Sequence, residues 1–229
     1  MSSNHNLLHS FIISSFLLLL TLLVQILAFN DPNLHPFTCS EHLNKCNASL
    51  YHINKGLLIE QIASFYSVNV TQIAPIQNAD KQDYLVTVPC SCATVNGTKA
   101  YFYDTIYTVK ENDTFLSVSD RVYSGQAWEI GNENITFVTG NKVAVHLLCG
   151  CVESESQIVV TFTVQLHDTI SNIATRLSST TTGILNMNSF LNNEDVIFPD
   201  WVLFVPKEIN GIPPPKTALH RLVDEDCLA

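Results

Sequence analysis

Two Cys-x-Cys pairs, Cys90–Cys92 and Cys149–Cys151, constrain this chain more than any other feature, and Cys39 and Cys46 precede them. Side chains two residues apart in an extended segment point to the same side, so each pair can bond two different partners without a change of chain direction. Six cysteines allow fifteen pairings, and their spacing cannot choose among them. We therefore expect short segments joined by disulfides in a chain that folds in an oxidising compartment.

The first 28 residues predict export. An apolar stretch from Phe11 to Leu27 ends at Ala28, and polar sequence that contains Pro32 follows at once. This is the pattern of a secretory signal peptide over residues 1–28, with an uncleaved anchor as the alternative. As written, the chain is expected to be secreted and extracellular.

Sequons of the form Asn-x-Ser/Thr support passage through the secretory pathway, because glycosylation of these sites takes place there. The candidate N-glycosylation sites are Asn47, Asn69, Asn96, Asn112 and Asn134. A glycan requires a solvated position, so these residues also predict which surfaces are exposed.

Composition and motifs exclude several classes of function. The chain has 11 Lys and Arg against 21 Asp and Glu, a formal net charge of −10, and nucleic-acid binding needs a basic face. No nucleophile motif, zinc-protease motif or phosphate-binding glycine loop occurs, and the histidines lie at no ligand-like spacing. We expect no nucleic-acid partner, no catalysis, no metal and no cofactor.

One pattern recurs three times at nearly even spacing, with strand-like openings at Tyr51, Tyr107 and Phe162. Self-similarity of this kind indicates repeated structural units. We predict a first segment over 37–90, a second segment over 100–149 and a third segment over 158–207. A Pro-rich linker and tail is predicted over 208–229.

The third segment shows the pattern most clearly. Alternating residues from Thr161 predict a strand, Asp168 and Thr169 offer oxygens where a helix begins, and residues 182–188 predict a second short helix. Residues 195–206, which include Trp201, predict a turn and a closing strand. Trp201 alternates with other apolar residues of that strand, so it is expected to pack in the core rather than stack on a ligand.

The sequence Pro-x-Trp-x-Leu-x-Val-Pro at its end, after the Asp-Thr pair and two helices, makes residues 161–206 resemble a lysin motif (LysM), a small βααβ glycan-binding unit. Three such units separated by Cys-x-Cys pairs resemble the ectodomain of plant LysM receptor-like kinases. The resemblance implies an α+β fold of three LysM-type units stapled by inter-unit disulfides. The pairs that it implies are Cys39–Cys92, Cys46–Cys151 and Cys90–Cys149.

The first two segments depart from the LysM order. Polar and β-branched residues alternate over 66–73, which predicts a strand after the helix and a βαββ-like first unit. After Trp128 two extended stretches, 135–138 and 142–148, flank a turn, so the second unit is predicted to be βαβ-like, with βαββ as the alternative. The third is predicted to be βααβ. Such atypical units are most similar to the exopolysaccharide-receptor branch of legume LysM receptors.

The resemblance implies a glycan site on two loops, one from strand to helix and one from the second helix to the closing strand. The candidate carbohydrate-binding residues are His167, Asp168, Thr169, Asn192 and Asn193 in the third segment, and Asp113, Thr114 and Trp128 in the second.

The residues themselves favour a different chief role for some of these positions. Asp113, Thr114, Asp168 and Thr169 stand where helix caps are expected. A glycan on Asn112 would also obstruct a groove in the second segment, and Trp128 is predicted to lie in an open loop.

The resemblance implies recognition of microbial polysaccharide, specifically exopolysaccharide, by a non-catalytic ectodomain. Chitin or a lipochitooligosaccharide is the alternative ligand. A further alternative is a soluble co-receptor that binds another LysM receptor ectodomain without direct contact to sugar. A full-length receptor relative would lie in the plasma membrane and carry a separate kinase domain, which this sequence does not contain.

Overall fold

The computed structural model describes residues 34–78, 81–130, 137–191 and 196–211. The predicted signal peptide, most of the predicted tail and the candidate residues Asn134, Asn192 and Asn193 lie outside the described residues. The seventh cysteine, Cys227, also lies outside them.

The first segment contains β1 (Lys45–His52), α1 (Ile59–Tyr66), β2 (Ile73–Asn78) and β3 (Lys81–Val95). The strand predicted over 66–73 is therefore misplaced, because α1 ends at Tyr66 and a 3-10 turn over Val70–Gln72 follows. The Asn69 side chain accepts a hydrogen bond from the Thr71 amide at 3.0 Å, and this cap favours the turn over an extended chain.

The second segment contains β4 (Thr98–Thr108), α2 (Phe115–Tyr123), β5 (Ala127–Ile130) and β6 (Lys142–Leu148). The order of the second segment is therefore βαββ, which was the alternative to the predicted βαβ order. The additional strand is β5, whereas the sequence pattern placed it at residues 135–138. Ile135 and Thr136 lie outside the described residues, and Phe137 and Val138 belong to no strand. Trp128 accordingly lies in a strand and not in an open loop.

The third segment contains β7 (Gln157–Thr163), α3 (Ile170–Arg176), α4 (Thr181–Met187) and β8 (Val202–Glu208), with a 3-10 turn over Ser189–Leu191. α3 begins after Thr169, as the cap pattern predicts. β7 and β8 pair antiparallel along their whole length, from Gln157 opposite Glu208 to Thr163 opposite Val202.

All of the segments contribute to one eight-stranded sheet, in the order β5-β6-β4-β3-β1-β7-β8, with β2 also paired to β3. β3 and β4 form a hairpin across the boundary between the first two segments. Its turn residues, Asn96 and Gly97, have φ of 48° and 77°, which suits the two-residue turn of a hairpin. β1 pairs parallel with β7 through Ser49 opposite Val160 and the next pair along. Backbone pairing therefore joins the segments in addition to the disulfides.

The structure forms the disulfides Cys39–Cys92, Cys46–Cys151 and Cys90–Cys149, the pairs that the resemblance implies. Two of these bridges lie side by side, because Cys46 and Cys90 are opposite each other in the β1–β3 pair. The Cys46, Cys90 and Cys151 sulfurs lie within 4.8 Å of one another. Because these sulfurs are bonded in disulfides, their proximity forms no metal site.

Gly150 lies between the two cysteines of the second Cys-x-Cys pair because a side chain would not fit there. A Cβ atom at this position would lie 2.9 Å from Val159 Cγ1 and 3.3 Å from atoms of both Phe204 and Phe37. A contact of 2.9 Å would force the packing to shift, so close packing explains the glycine.

The buried apolar residues form two cores. The larger core combines the first and second segments through residues such as Leu50, Tyr66 and Val145. The smaller core belongs to the third segment but includes Tyr51 of β1, whose ring centroid lies 4.7 Å from that of Phe162. Tyr51 therefore connects the first segment to the third.

His52, next to Tyr51, is fully buried and predicts a pH dependence of stability. Its Nδ1 atom lies 3.2 Å from the Tyr66 hydroxyl oxygen, and its Nε2 atom has no hydrogen-bond partner. Burial lowers the pKa of His52 to about 4, against the opposing attraction of Asp83. In the unfolded chain the pKa is about 6.5, so the unfolded state takes up the proton first as the pH falls.

We expect the free energy of unfolding to decrease by up to about 3 kcal/mol as the pH falls from 6.5 to 4, and this contribution to be complete above pH 6.5. Urea unfolding of the wild type and a His52→Gln variant at pH 7 and pH 4 measures it. The variant should lose less stability between the two pH values than the wild type. An equal loss in both proteins would show that His52 is not the titrating group.

Among the helices of the described residues, none combines the length and the apolar character needed to cross a membrane.

Candidate functional site

Two loops of the third segment meet at the end of the β7–β8 pair. The first loop follows β7 and leads to Thr169, and the second, described from Val196, leads to Trp201. The Val164 amide donates to the Trp201 carbonyl at 2.8 Å, and the Asp200 amide donates to the Val164 carbonyl at 2.9 Å. Backbone hydrogen bonds therefore hold the bases of the two loops together.

Asp168 stabilises the first loop from within. Its carboxylate accepts a hydrogen bond from the Gln165 amide at 2.9 Å and one from Arg176 Nη2 at 3.0 Å. Only 5% of the Asp168 side chain and 15% of the Arg176 side chain are exposed, so the ion pair is internal. The Asp168 carboxylate thus bonds the loop that precedes the helix, which corrects the expectation that it caps the helix itself.

The second segment has an equivalent arrangement at Asp113. Its carboxylate accepts hydrogen bonds from the Lys110 amide and the Tyr107 hydroxyl, both at 2.7 Å, and Arg121 Nη2 lies 3.4 Å away. Burial and the hydrogen bond to Asp113 raise the pKa of Tyr107, so its hydroxyl is protonated and donates. In both loops an arginine eight residues after the aspartate compensates the carboxylate charge.

Thr114 and Thr169 cap the helices, as the sequence favours. Thr169 Oγ1 accepts a hydrogen bond from the Asn172 amide at 3.2 Å, and the Asn172 side chain accepts one from the Thr169 amide at 2.9 Å. Thr114 exchanges the same pair of hydrogen bonds with Ser117. These threonine side chains therefore bond locally to the backbone of the first helical turn.

Apolar side chains are exposed around the two loops of the third segment. Leu166 is 72% exposed and Phe198 is 54% exposed, while Trp201 is partly buried. The Trp201 ring makes edge contacts with Phe198 and Phe190, at centroid distances of 5.2 and 5.8 Å. Trp201 thus lies at the margin of the core, where it supports Phe198 instead of being enclosed. Single exposed apolar residues are common, but an aromatic cluster at the second loop can contact a ligand.

His35 was not expected in this region. It precedes the first segment, yet its ring stacks on Phe190 with a centroid distance of 4.1 Å. No sequence pattern predicts this contact, because it joins residues far apart in the chain. The arginines Arg121 and Arg176 were also missed, although their common spacing from an aspartate was a usable signal.

His167 belongs to the candidate site of the third segment. It is exposed at the tip of the first loop, with a φ of 72°, and its carbonyl accepts a hydrogen bond from the Asn172 side chain at 3.4 Å. The candidates of the second segment lie elsewhere. Trp128 lies in β5 and packs against Phe102 with the centroids 6.5 Å apart. Asp113 and Thr114 belong to the second segment, in a loop that also carries Asn112 with a φ of 63°. The loop of the second segment and the loops of the third segment are thus separate candidate sites.

Comparisons with known proteins agree with this architecture. Residues 162–206 match the family model described as LysM domain. The chain is 24% identical over 173 residues to LysM domain receptor-like kinase 3 of Arabidopsis thaliana, which covers 75% of this chain and 26% of that protein. It is 26% identical over 191 residues to LysM domain-containing GPI-anchored protein 1 of the same plant, with 73% and 45% covered. The chain thus spans less than half the length of these relatives.

Solved structures show the same fold. The crystal structure of the LYK3 ectodomain superposes with a TM-score of 0.57 at 19% identity and covers 76% of this chain and 95% of that one. The ectodomain of another receptor-like kinase gives a TM-score of 0.55 at 20% identity, with 77% and 98% covered. Residues 162–206 are therefore a LysM domain, in a chain that is similar to the ectodomains of LysM receptor-like kinases.

Proposed function

We propose that this chain is an extracellular, non-catalytic ectodomain that binds microbial exopolysaccharide through the two loops of its third segment. The observation that carries the proposal is the convergence of these loops beside Leu166, Phe198 and Trp201, within the LysM domain. Sugars present C–H faces that pack on apolar side chains and hydroxyls that bond to backbone and side-chain groups. His167 and the described part of the second loop can supply such polar groups. The disulfides support an extracellular location, because they persist in oxidising compartments.

The third segment is favoured over the second for two reasons. The loop of the second segment carries the sequon at Asn112, whose glycan would occupy the space beside Asp113. The third segment has no sequon in its sequence.

The choice of exopolysaccharide over chitin rests on the additional strands β2 and β5, which make the first two segments unlike an ordinary βααβ unit.

Phe198→Ala is expected to weaken polysaccharide binding about tenfold without loss of stability. Truncating an aromatic side chain that packs on a ligand removes roughly 1.5 kcal/mol of binding free energy, whereas a side chain that is 54% exposed contributes little to the core. Binding can be measured by biolayer interferometry on immobilised polysaccharide. Ile106→Ala, at a residue of β4 that is 60% exposed, is the matched control and should bind like the wild type. Equal affinity of all three proteins would remove the third-segment loops from the site.

The ligand class can be tested on the same protein with a microbial exopolysaccharide, a chitin oligomer and a lipochitooligosaccharide as probes. Binding to the exopolysaccharide supports the proposal. Binding to either of the other two probes alone would support the alternative ligand. Binding to no probe, together with association with another LysM receptor ectodomain in analytical ultracentrifugation, would support a co-receptor that does not contact sugar.

A further inference from the structure

A cleft of about 330 Å³ lies at the opposite end of β7 from the two loops. β1 and β7 pair only at Ser49 opposite Val160 and at Leu50 opposite Thr161. The residues that come just before these pairs, in β1 and in β7, line the cleft. Its lining includes Asn47, Thr87, Val152, Glu155, Ile158 and Ile209. The cleft is therefore a site separate from the proposed polysaccharide site, at the junction of the first and third segments.

Asn47 gives this cleft an occupant of known chemistry. It belongs to the sequon Asn47-Ala48-Ser49, and its side chain is exposed while Ala48 and Ser49 are buried. The first N-acetylglucosamine of an N-linked glycan bonds to the side-chain nitrogen of this asparagine. Because Asn47 lines the cleft, a glycan at this position begins at its edge.

The other sequons on described residues have different surroundings. Asn69 caps a 3-10 turn, Asn96 lies at the tip of the β3–β4 hairpin, and Asn112 lies in the loop before α2. None of these three residues lines the cleft. Asn96 is therefore a suitable internal reference for a glycan that extends from a turn.

The lining suits an acetamido sugar. Val152, Ile158 and Ile209 offer an apolar surface for the acetyl methyl group and the ring C–H groups, and Ile209 is 57% exposed. Thr87 and Glu155 add polar groups that can bond to hydroxyls. The volume lies at the lower end of the range for small-molecule sites, roughly 300–1,000 Å³, and so matches a short oligosaccharide rather than a long chain.

We infer that this cleft binds the two core N-acetylglucosamine residues of the glycan attached to Asn47. The bound glycan bridges β1 to β7 and to the segment around Glu155, where the parallel pairing of the two strands is short. This role is independent of the proposed function, because it concerns the protein's own glycan and a different surface.

The test uses the secreted protein expressed with oligomannose glycans and an endoglycosidase that cuts between the two core sugars. In the native protein, cleavage at Asn47 should be about tenfold slower than at Asn96, the factor that corresponds to a docking free energy of ~1.4 kcal/mol. After reduction and denaturation, both sites should be cut at the same rate. Mass spectrometry of the glycopeptides measures each site separately.

Two variants of similarly exposed isoleucines separate docking from general crowding. Ile209→Ser should raise the native rate at Asn47 to that at Asn96, whereas Ile106→Ser should leave the difference intact. Ile209 and Ile106 are 57% and 60% exposed, so both variants should remain folded. Equal native rates at the two sites, an unglycosylated Asn47, or slow cleavage that persists in Ile209→Ser would each overturn the inference.

Discussion

Replacing all six paired cysteines with serine is expected to leave the chain without a stable folded sheet at 25 °C. The three disulfides close loops with sequence separations of 53, 105 and 59 residues. In the chain-entropy model, each closure of this size contributes about 4–5 kcal/mol. The net stability of a folded domain is about 5–15 kcal/mol, so the joint loss is comparable to the whole.

Circular dichroism during thermal unfolding measures this effect, with Cys227→Ser as the control because Cys227 has no partner among the three pairs. The control should melt like the wild type, and reducing agent should destabilise both. Among variants that lack one bridge, loss of Cys46–Cys151 should cost the most, since it closes the longest loop. A cooperative transition at the wild-type temperature in the variant that lacks the six paired cysteines would refute the claim that the bridges hold the segments together.

Asn188→Ala is expected to lower the free energy of unfolding by about 3 kcal/mol and the melting temperature by roughly 6–12 °C. Asn188 is 1% exposed and lies at the end of α4. Its Nδ2 atom donates to the carbonyls of Ile184 and Phe204, both at 2.7 Å, and its Oδ1 atom accepts from the Phe204 amide at 2.9 Å. Alanine would remove the side-chain partner of the Phe204 amide and carbonyl in β8, which costs more than the loss of the bonds alone. The Ile184 carbonyl would keep its hydrogen bond from the backbone amide of residue 188.

Two further variants test whether the hydrogen bonds cause this loss. Asn188→Asp preserves the shape but lacks the Nδ2 donors and buries a carboxylate, so it should be at least as destabilising as alanine. Asn186→Ala, at an exposed position of the same helix, should change the melting temperature little. If Asn188→Ala and Asn186→Ala had the same melting temperature, the hydrogen bonds that link α4 to β8 would contribute nothing to stability.

The helix starts were predictable because their determinants are local. Thr114 and Thr169 each precede a helix, and the residue that completes each capping pair follows three positions later. The strands β1, β4 and β7 were visible for a similar reason, since alternation of apolar and polar residues can be read within a few positions. These helix starts and strands therefore followed from short-range patterns.

Features that depend on distant residues could not be predicted from these patterns. β5 pairs with β6, and its few residues carry too little alternation to be distinguished from a loop before that pairing is known. The roles of Asp113 and Asp168 differed from the expected caps because each carboxylate folds back on the loop that precedes it. The disulfide pairs came from the family resemblance, since the spacing of the cysteines left every pairing open.

The parallel pairing of β1 with β7 sets an order of events during synthesis. β1 precedes the other described strands, yet its parallel partner β7 and the Cys151 thiol that Cys46 requires are made 105 or more residues later, after its antiparallel partner β3. At ribosomal rates of about 5–20 residues per second, Cys46 waits roughly 5–20 s for Cys151. Cys90 and Cys92 are made within that wait and are present for its later part. A chain in which Cys46 pairs with Cys90 or Cys92 during that interval needs thiol–disulfide exchange to reach the Cys46–Cys151 bridge after Cys151 has been made.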